Sequence, residues 1–225
     1  MKIGLMIAAE GELEAFLKSG EGIRKETRAG KKVYITEMEG HEVIAGLSGY
    51  GEVDAAAMTM LLIAGYGCEV IMNFGVAGAL ETDLRVEDLF AVEKAWHYDY
   101  DVSELEEGKK IGQYAEYADE FIPLDAGLLK TAEELIPEIR RVTAASGDKF
   151  VTRREEKIRL RNAGCGICEM EVGAIARVCS QSGVRCLSIK CISDTFEGGA
   201  GDFYTNVTRS AEKAFGAIRA ILKKL

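Results

Sequence analysis

The chain has 225 residues, and 48% of them are hydrophobic, enough for a sizeable core within a single domain spanning 1–225. Its formal net charge of −9 excludes the basic surface that nonspecific binding to nucleic acid or to an anionic membrane needs. No apolar run approaches the about 18 residues of a membrane span, and the opening MKIGLMIAAEGELEAF reaches Glu10 and Glu12 too soon for a secretory leader. A cytoplasmic protein is the expectation.

The first strand is predicted at Lys2 to Ala8, followed by a helix over Glu10 to Lys18 with Leu13, Phe16 and Leu17 on one side. Lys32 to Glu37 and Glu42 to Leu47 flank Glu39-Gly40-His41 and read as a hairpin. The loop SGYGEVD, Ser48 to Asp54, leads into a helix from about Val53 to Ala64. Glu69 to Phe74 reads as a buried strand, and Asp88 to Ala95 as another. Residues 103 to 122 are polar and irregular. A helix over Ala126 to Leu135, a strand over Arg141 to Ala145 and a charged helix over Arg153 to Arg161 follow. The chain ends with a helix over Met170 to Ser182, a strand over Arg185 to Ile192 and a helix over Thr205 to Leu222. Alternating strands and helices predict an α/β fold, a three-layer α/β/α sandwich around a central mixed sheet. In such sheets, ligands sit beyond the carboxyl ends of strands. The loops at Asn73-Phe74-Gly75, Ser146-Gly147-Asp148 and Ser193-Asp194 all follow strand candidates, and convergence on one cleft is the expectation.

Cys165 and Cys168 form a CxxC, but no second ligand pair at zinc spacing accompanies it, and His41 and His97 lie elsewhere in the sequence. The six cysteines read as small buried residues in a reducing compartment, with a thioredoxin-like redox pair as the alternative. No metal and no cofactor are expected.

The carboxylates are more informative. Glu10, Glu12, Glu171 and Asp194 each adjoin an apolar segment, where an unpaired carboxylate is costly. Taken singly, each reads equally as a helix cap or a turn residue. Taken together, they suit cleavage of an N-glycosidic bond, in which one group protonates the leaving base, one holds the ribose hydroxyls and one activates water.

The stretches MKIGLMIAAEGELEAF, SGYGEVDAA, NFGVAGAL, WHYDYDV, ASGDKFV, CEMEVGAIARVC and IKCISD run in order along almost the whole chain. They resemble the nucleoside phosphorylase family in its broad sense, and most closely its 5′-methylthioadenosine/S-adenosylhomocysteine nucleosidases. The resemblance implies that Asp194 is the general acid toward the purine N7, held by Ser193. It implies that Glu171, with the backbone of Met170, clamps the ribose 2′- and 3′-hydroxyls, and that Glu12 activates the attacking water. Phe150 would stack on adenine and the Val151 backbone would pair with its edge. Phe203 would line the 5′-substituent pocket, and Ala8 is counted among the substrate-binding positions. Val102 matches a position that the family contributes across a dimer interface, so a homodimer serving methionine salvage and nucleoside catabolism is expected, with no nucleic-acid or membrane partner.

The chain departs from the family pattern at Phe74 and Val76, where a threonine and a serine are common, and at Lys190, where an arginine is usual. Val76 and Lys190 are both placed near the nucleophile. Gly11 stands where a glutamate is usual, and His97 and Tyr98 appear in reversed order. A phosphorylase would need several cations beside the ribose, for which Arg24, Arg85 and Lys190 are candidates; hydrolysis needs fewer and is the favoured reading. A futalosine-type hydrolase, another purine nucleoside hydrolase and a non-catalytic nucleoside binder remain as alternatives.

Overall fold

A computed structural model describes residues 1–225. The apolar start of the chain forms strand β1 (Lys2–Ile7), buried from Ile3 onward. It lies between two parallel partners, β4 (His41–Leu47) and β5 (Val70–Ala79). Burial on both faces suits its unbroken apolar run. β3 (Lys31–Met38) joins β4 through Glu39-Gly40, whose φ angles of 52° and 84° make the left-handed pair of a type I′ hairpin turn. β2 (Arg24–Arg28) extends this edge. Its sequence RKETR has no apolar alternation, which hid it from the sequence reading, and its charge blunts the open edge.

On the other side of β1 the sheet curls. β5 pairs in parallel with β10 (Arg185–Asp194), which runs antiparallel to β6 (Leu89–His97). β6 pairs in parallel with β8 (Arg140–Ser146), and β8 with the short β9 (Ile167–Glu169). β9 then pairs antiparallel with Gly78 and Ala79 at the end of β5. Five strands thus close into a ring, with β1, β4, β3 and β2 extending from it as an open sheet. β7 (Phe121–Pro123) adds to β6 at the end of the irregular stretch.

Helices cover both faces. α1 (Glu10–Ser19), α3 (Ala126–Leu135) and α6 (Ala200–Leu222) bring Phe16, Leu128, Leu129 and Phe215 to one buried cluster. α2 (Glu52–Met60), continued by a π-helical turn through Gly65, and α5 (Val172–Ser182) bring Ala55, Met58, Ile175 and Cys179 to the other. α4 (Arg154–Asn162) closes a third, smaller cluster through Leu160. This is the expected layered α/β fold with a central mixed sheet. None of the helices is long and apolar enough to cross a membrane.

Phe74 belongs to the first cluster. Its ring lies 4.9 Å from that of Phe215, which packs edge-on against Phe16 at 5.9 Å. Truncating such a buried ring costs about 3–5 kcal/mol. The Phe74 departure is therefore a core choice and leaves the cleft untouched.

Two further differences concern helix and strand ends. α6 starts at Ala200 rather than Thr205; Gly199 and Gly201, which have poor helix propensity, hid its first turn from the sequence reading. The cysteine and first glutamate of CEMEVGAIARVC form β9, and the helix begins only at Val172.

Candidate active site

Two close approaches to β5 organise the site. A Cβ at Gly75 would collide with Oε1 of Glu12, and one at Gly78 would come within 2.8 Å of Oδ2 of Asp194. Only glycine lets both carboxyl groups lie directly against the strand.

Glu12 sits in the first turn of α1, 4% exposed. Its Oε2 accepts the N–H groups of Ala8 (3.1 Å) and Ala9 (3.0 Å), and its Oε1 accepts that of Val76 (3.0 Å). Burial raises its pKa; the charge of Lys190 and the three N–H donors work against that rise.

The head of α5 answers why two glutamates stand there. Oε2 of Glu169 accepts the N–H groups of Glu171 (3.0 Å) and Val172 (2.9 Å), and Ser146 Oγ accepts that of Gly173 (2.8 Å). Three N–H groups of the helix end are thus satisfied without the carboxyl of Glu171, which is left to face the cavity. Its Oε1 accepts the Gly51 N–H at 3.1 Å. Gly51 is steadied by its neighbour Glu52, whose N–H donates to Asp148 (2.7 Å) and whose Oε1 accepts from Ser146 (2.7 Å). Burial pushes Glu171 up to about 8, against the pull of Lys190, and pushes Glu52 up to about 9.

Lys190 is 1% exposed and lies 3.1 Å from Glu169 and 3.9 Å from Glu171. Burial alone would lower its pKa, but Glu169, Glu171 and Glu12 together raise it, so it stays an ammonium.

Asp194 ends β10 at an irregularity, where Ser193 slips out of register between Ile192 and Asp194. Such a bulge re-aims the next side chain. Ser193 Oγ donates to Asp194 Oδ1 at 2.9 Å, while Asn206 of α6 holds the Ser193 carbonyl at 3.0 Å. Burial raises the pKa of Asp194; Ser193 and the charge of Lys157 oppose the rise.

These groups open on one cavity of about 300 Å³, the size of a small-ligand site. Glu12, Glu171 and Asp194 share its walls with apolar side chains, and Phe150 and Phe203 meet there edge-to-face at 5.6 Å. The arrangement supplies a buried acid, a buried carboxylate on three N–H donors and an aromatic slot.

A family model described as the phosphorylase superfamily matches residues 2–223. The chain belongs to the phosphorylase superfamily. Within it, the resemblance to 5′-methylthioadenosine/S-adenosylhomocysteine nucleosidases holds over the full length. The enzyme of that name from Shewanella halifaxensis is 34% identical, with 100% of each chain covered. The Helicobacter pylori nucleosidase, solved with a pyrrolopyrimidine-pyrrolidine ligand, superposes with a TM-score of 0.94 at 26% identity, covering 100% of this chain and 99% of that one. A futalosine hydrolase of Helicobacter pylori superposes with a TM-score of 0.93 at 26% identity, covering 100% and 98%.

In this superfamily member, the expected positions Ala8, Glu12, Val76, Phe150, Val151, Met170, Glu171, Ser193, Asp194 and Phe203 all line the cavity. Lys190 does not line it but stands behind Glu171. Val102 does not border the cavity of its own chain either. The expected convergence of three loops needs correction. Asn73 stays inside the sheet, donating to the Met6 carbonyl and accepting from Ser188, because a polar side chain in a doubly buried strand must find its partners there. Ser146 and Asp148 brace α5 and α2 from outside the cavity.

Glu169 caps its helix, and it does so while buried and 3.1 Å from Lys190. The sequence reading missed Tyr50 and Tyr204, which stand 58% and 77% exposed at the mouth. Their only signals were places beside the SGYG loop and beside Phe203. Cys168 lines the cavity, yet all six cysteines are unpaired and buried, and burial pushes the Cys168 thiol up to about 12, which leaves it unreactive.

Proposed function

We propose that the protein hydrolyses the N-glycosidic bond of 5′-methylthioadenosine and S-adenosylhomocysteine, releasing adenine and a 5-thio-substituted ribose. Asp194 protonates the purine at N7, Glu171 with the Met170 backbone holds the ribose hydroxyls, and Glu12 takes a proton from the attacking water. Adenine lies against Phe150 and the Val151 backbone, with the 5′-substituent toward Phe203. No cofactor is required for this chemistry.

One observation carries the choice of water over phosphate. The sugar side of the cavity is lined by three glutamates, and the one cation near them, Lys190, stands behind that wall already paired with two of them. Arg24 and Arg85 are exposed on the surface away from it. Lys149 borders the cavity beside Phe150 and pairs with Glu156 at 2.6 Å. A phosphate dianion entering there would find no unpaired cation to hold it. Val76 supplies no hydroxyl, but its N–H orients Glu12. The test is incubation with methylthioadenosine with and without phosphate. Free 5-methylthioribose at a phosphate-independent rate is expected; a sugar 1-phosphate whose rate rises with phosphate overturns the reading. Futalosine in the same assay checks the second substrate class.

The ribose clamp has its own readout. Glu171→Gln is expected to weaken transition-state binding by about 1.5–3 kcal/mol, the worth of a charged hydrogen bond. The variant should also lose the wild type's discrimination against a 2′-deoxy substrate. Equal discrimination by the two proteins removes Glu171 from that hydroxyl.

The active species is a homodimer. What supports it is Val102, which matches the position that the family contributes across a dimer interface; Val53 and Leu105, 78% and 85% exposed, are apolar side chains that an interface would cover. A fully active monomer by light scattering would sink the dimer. The unpaired cysteines fit a reducing, cytoplasmic setting, in keeping with methionine salvage; activity found outside the cytosol on cell fractionation contradicts it.

A further inference from the structure

Lys157, on α4, is fully buried and has no carboxylate partner. Its Nζ donates to three main-chain carbonyls, those of Thr195 (2.9 Å), Phe196 (3.0 Å) and Gly198 (3.1 Å). Three acceptors use all three N–H groups of an ammonium ion. A buried cation without a counter-charge is costly, so this one depends on the three carbonyls, and they in turn are drawn together by it.

The residues it gathers are those that follow Asp194. They run directly into Gly199 and α6, whose first turn carries Ala200, Phe203 and Tyr204 to the cavity. Phe196 is buried between this turn and α4, with the Arg154 and Arg161 guanidinium groups 5.2 and 5.3 Å from its ring. α4 itself begins just after Phe150 and Val151. One side chain therefore ties the slot on one wall to the acid on the other.

We infer that Lys157 is a positioning residue, whose ammonium fixes the Thr195–Gly198 turn and through it the aim of the Asp194 carboxyl and the first turn of α6. The inference rests on the reading of Asp194 as the acid. Around that carboxyl lie Ser193 on its own strand, Cys168 on β9, Lys157 on α4 and Asp202 on α6. Burial raises Asp194 most, Asp202 adds to the rise, and Ser193 and Lys157 oppose it. Removing the lysine therefore keeps Asp194 protonated to higher pH.

The test compares wild type with Lys157→Met on methylthioadenosine, using pH profiles and thermal melts. A turn that shifts on the scale of 1 Å should lower kcat about 10- to 100-fold, with the alkaline limb of the profile moved to higher pH. Wild-type kcat and an unmoved limb overturn the inference. So does a fall in kcat with the limb unmoved, since loss of structure alone would do that. Lys157→Gln, which keeps an amide donor without the charge, serves if the methionine variant does not fold, and failure of both to fold assigns the lysine to folding alone. A wild type that leaves methylthioadenosine uncleaved, or a fully active Asp194→Asn, overturns the underlying reading instead.

Discussion

Asp194→Asn is expected to slow adenine release by roughly 10²–10⁴, the usual worth of a general acid. Adenine is a poor leaving group as an anion, so the proton must arrive as the bond breaks. Asparagine fills the same space beside Gly78 and still accepts from Ser193 through its carbonyl oxygen, so the cavity should keep its shape. Binding of substrate and of adenine should survive much better than turnover. The sign of the pH effect follows from burial. A raised pKa keeps the acid protonated above the range of an exposed aspartate, and activity is lost as pH climbs through it. That alkaline limb should vanish in the variant. Turnover near the wild-type rate removes Asp194 from the reaction.

Glu12→Gln should be at least as damaging, on the order of 10²–10⁴ in turnover, because the variant has no base for the water. Here the amide is not a silent replacement. Glu12 accepts N–H groups on both oxygens, and a glutamine must turn its own NH2 toward one of them. The unmet donor costs about 1–3 kcal/mol of stability, visible as a lower Tm. The adenine slot lies elsewhere and should still bind adenine. In wild type, Glu12 must be ionised, and its raised pKa means that activity fails on the acid side sooner than with an exposed glutamate. The acid limb should be absent from the variant's residual rate. A variant that keeps both turnover and the acid limb assigns the base to another group.

The strands with apolar runs were legible in the sequence because burial on two faces leaves no polar alternation to hide them, as with β1 and β5. β2 was not, because an edge strand of RKETR spends its side chains on solvent. β9 was not, because three residues read as part of the helix they precede. The site followed the same division. Glu12, Glu171 and Asp194 are acids beside apolar segments, as is the exposed Glu10, and it is the resemblance of the surrounding stretches that separates them. The roles of Glu169 and Ser146 as partners for α5 depend on which groups fold against its first turn, and spacing along the chain does not carry that. Lys157 sits in a run of charged residues, REEKIRLRN, that reads as a solvated helix. The packing of Phe196 beneath α4, beside the cluster around Leu160, turns its inner face dry.

The glycines of β5 have a consequence for anyone who wants to re-engineer the substrate range. The gap between the Glu12 and Asp194 carboxyls is written into the main chain at Gly75 and Gly78, about 10 Å apart along an extended strand, and neither position accepts even a methyl group without displacing a carboxyl oxygen. Selection for larger or smaller sugars through that part of the cleft should yield dead enzymes. The adjustable region is the rim, where Tyr50 and Tyr204 are 58% and 77% exposed and have room to be exchanged. Libraries confined to those two positions should retune the 5′-substituent preference while the carboxyls behind them stay in register.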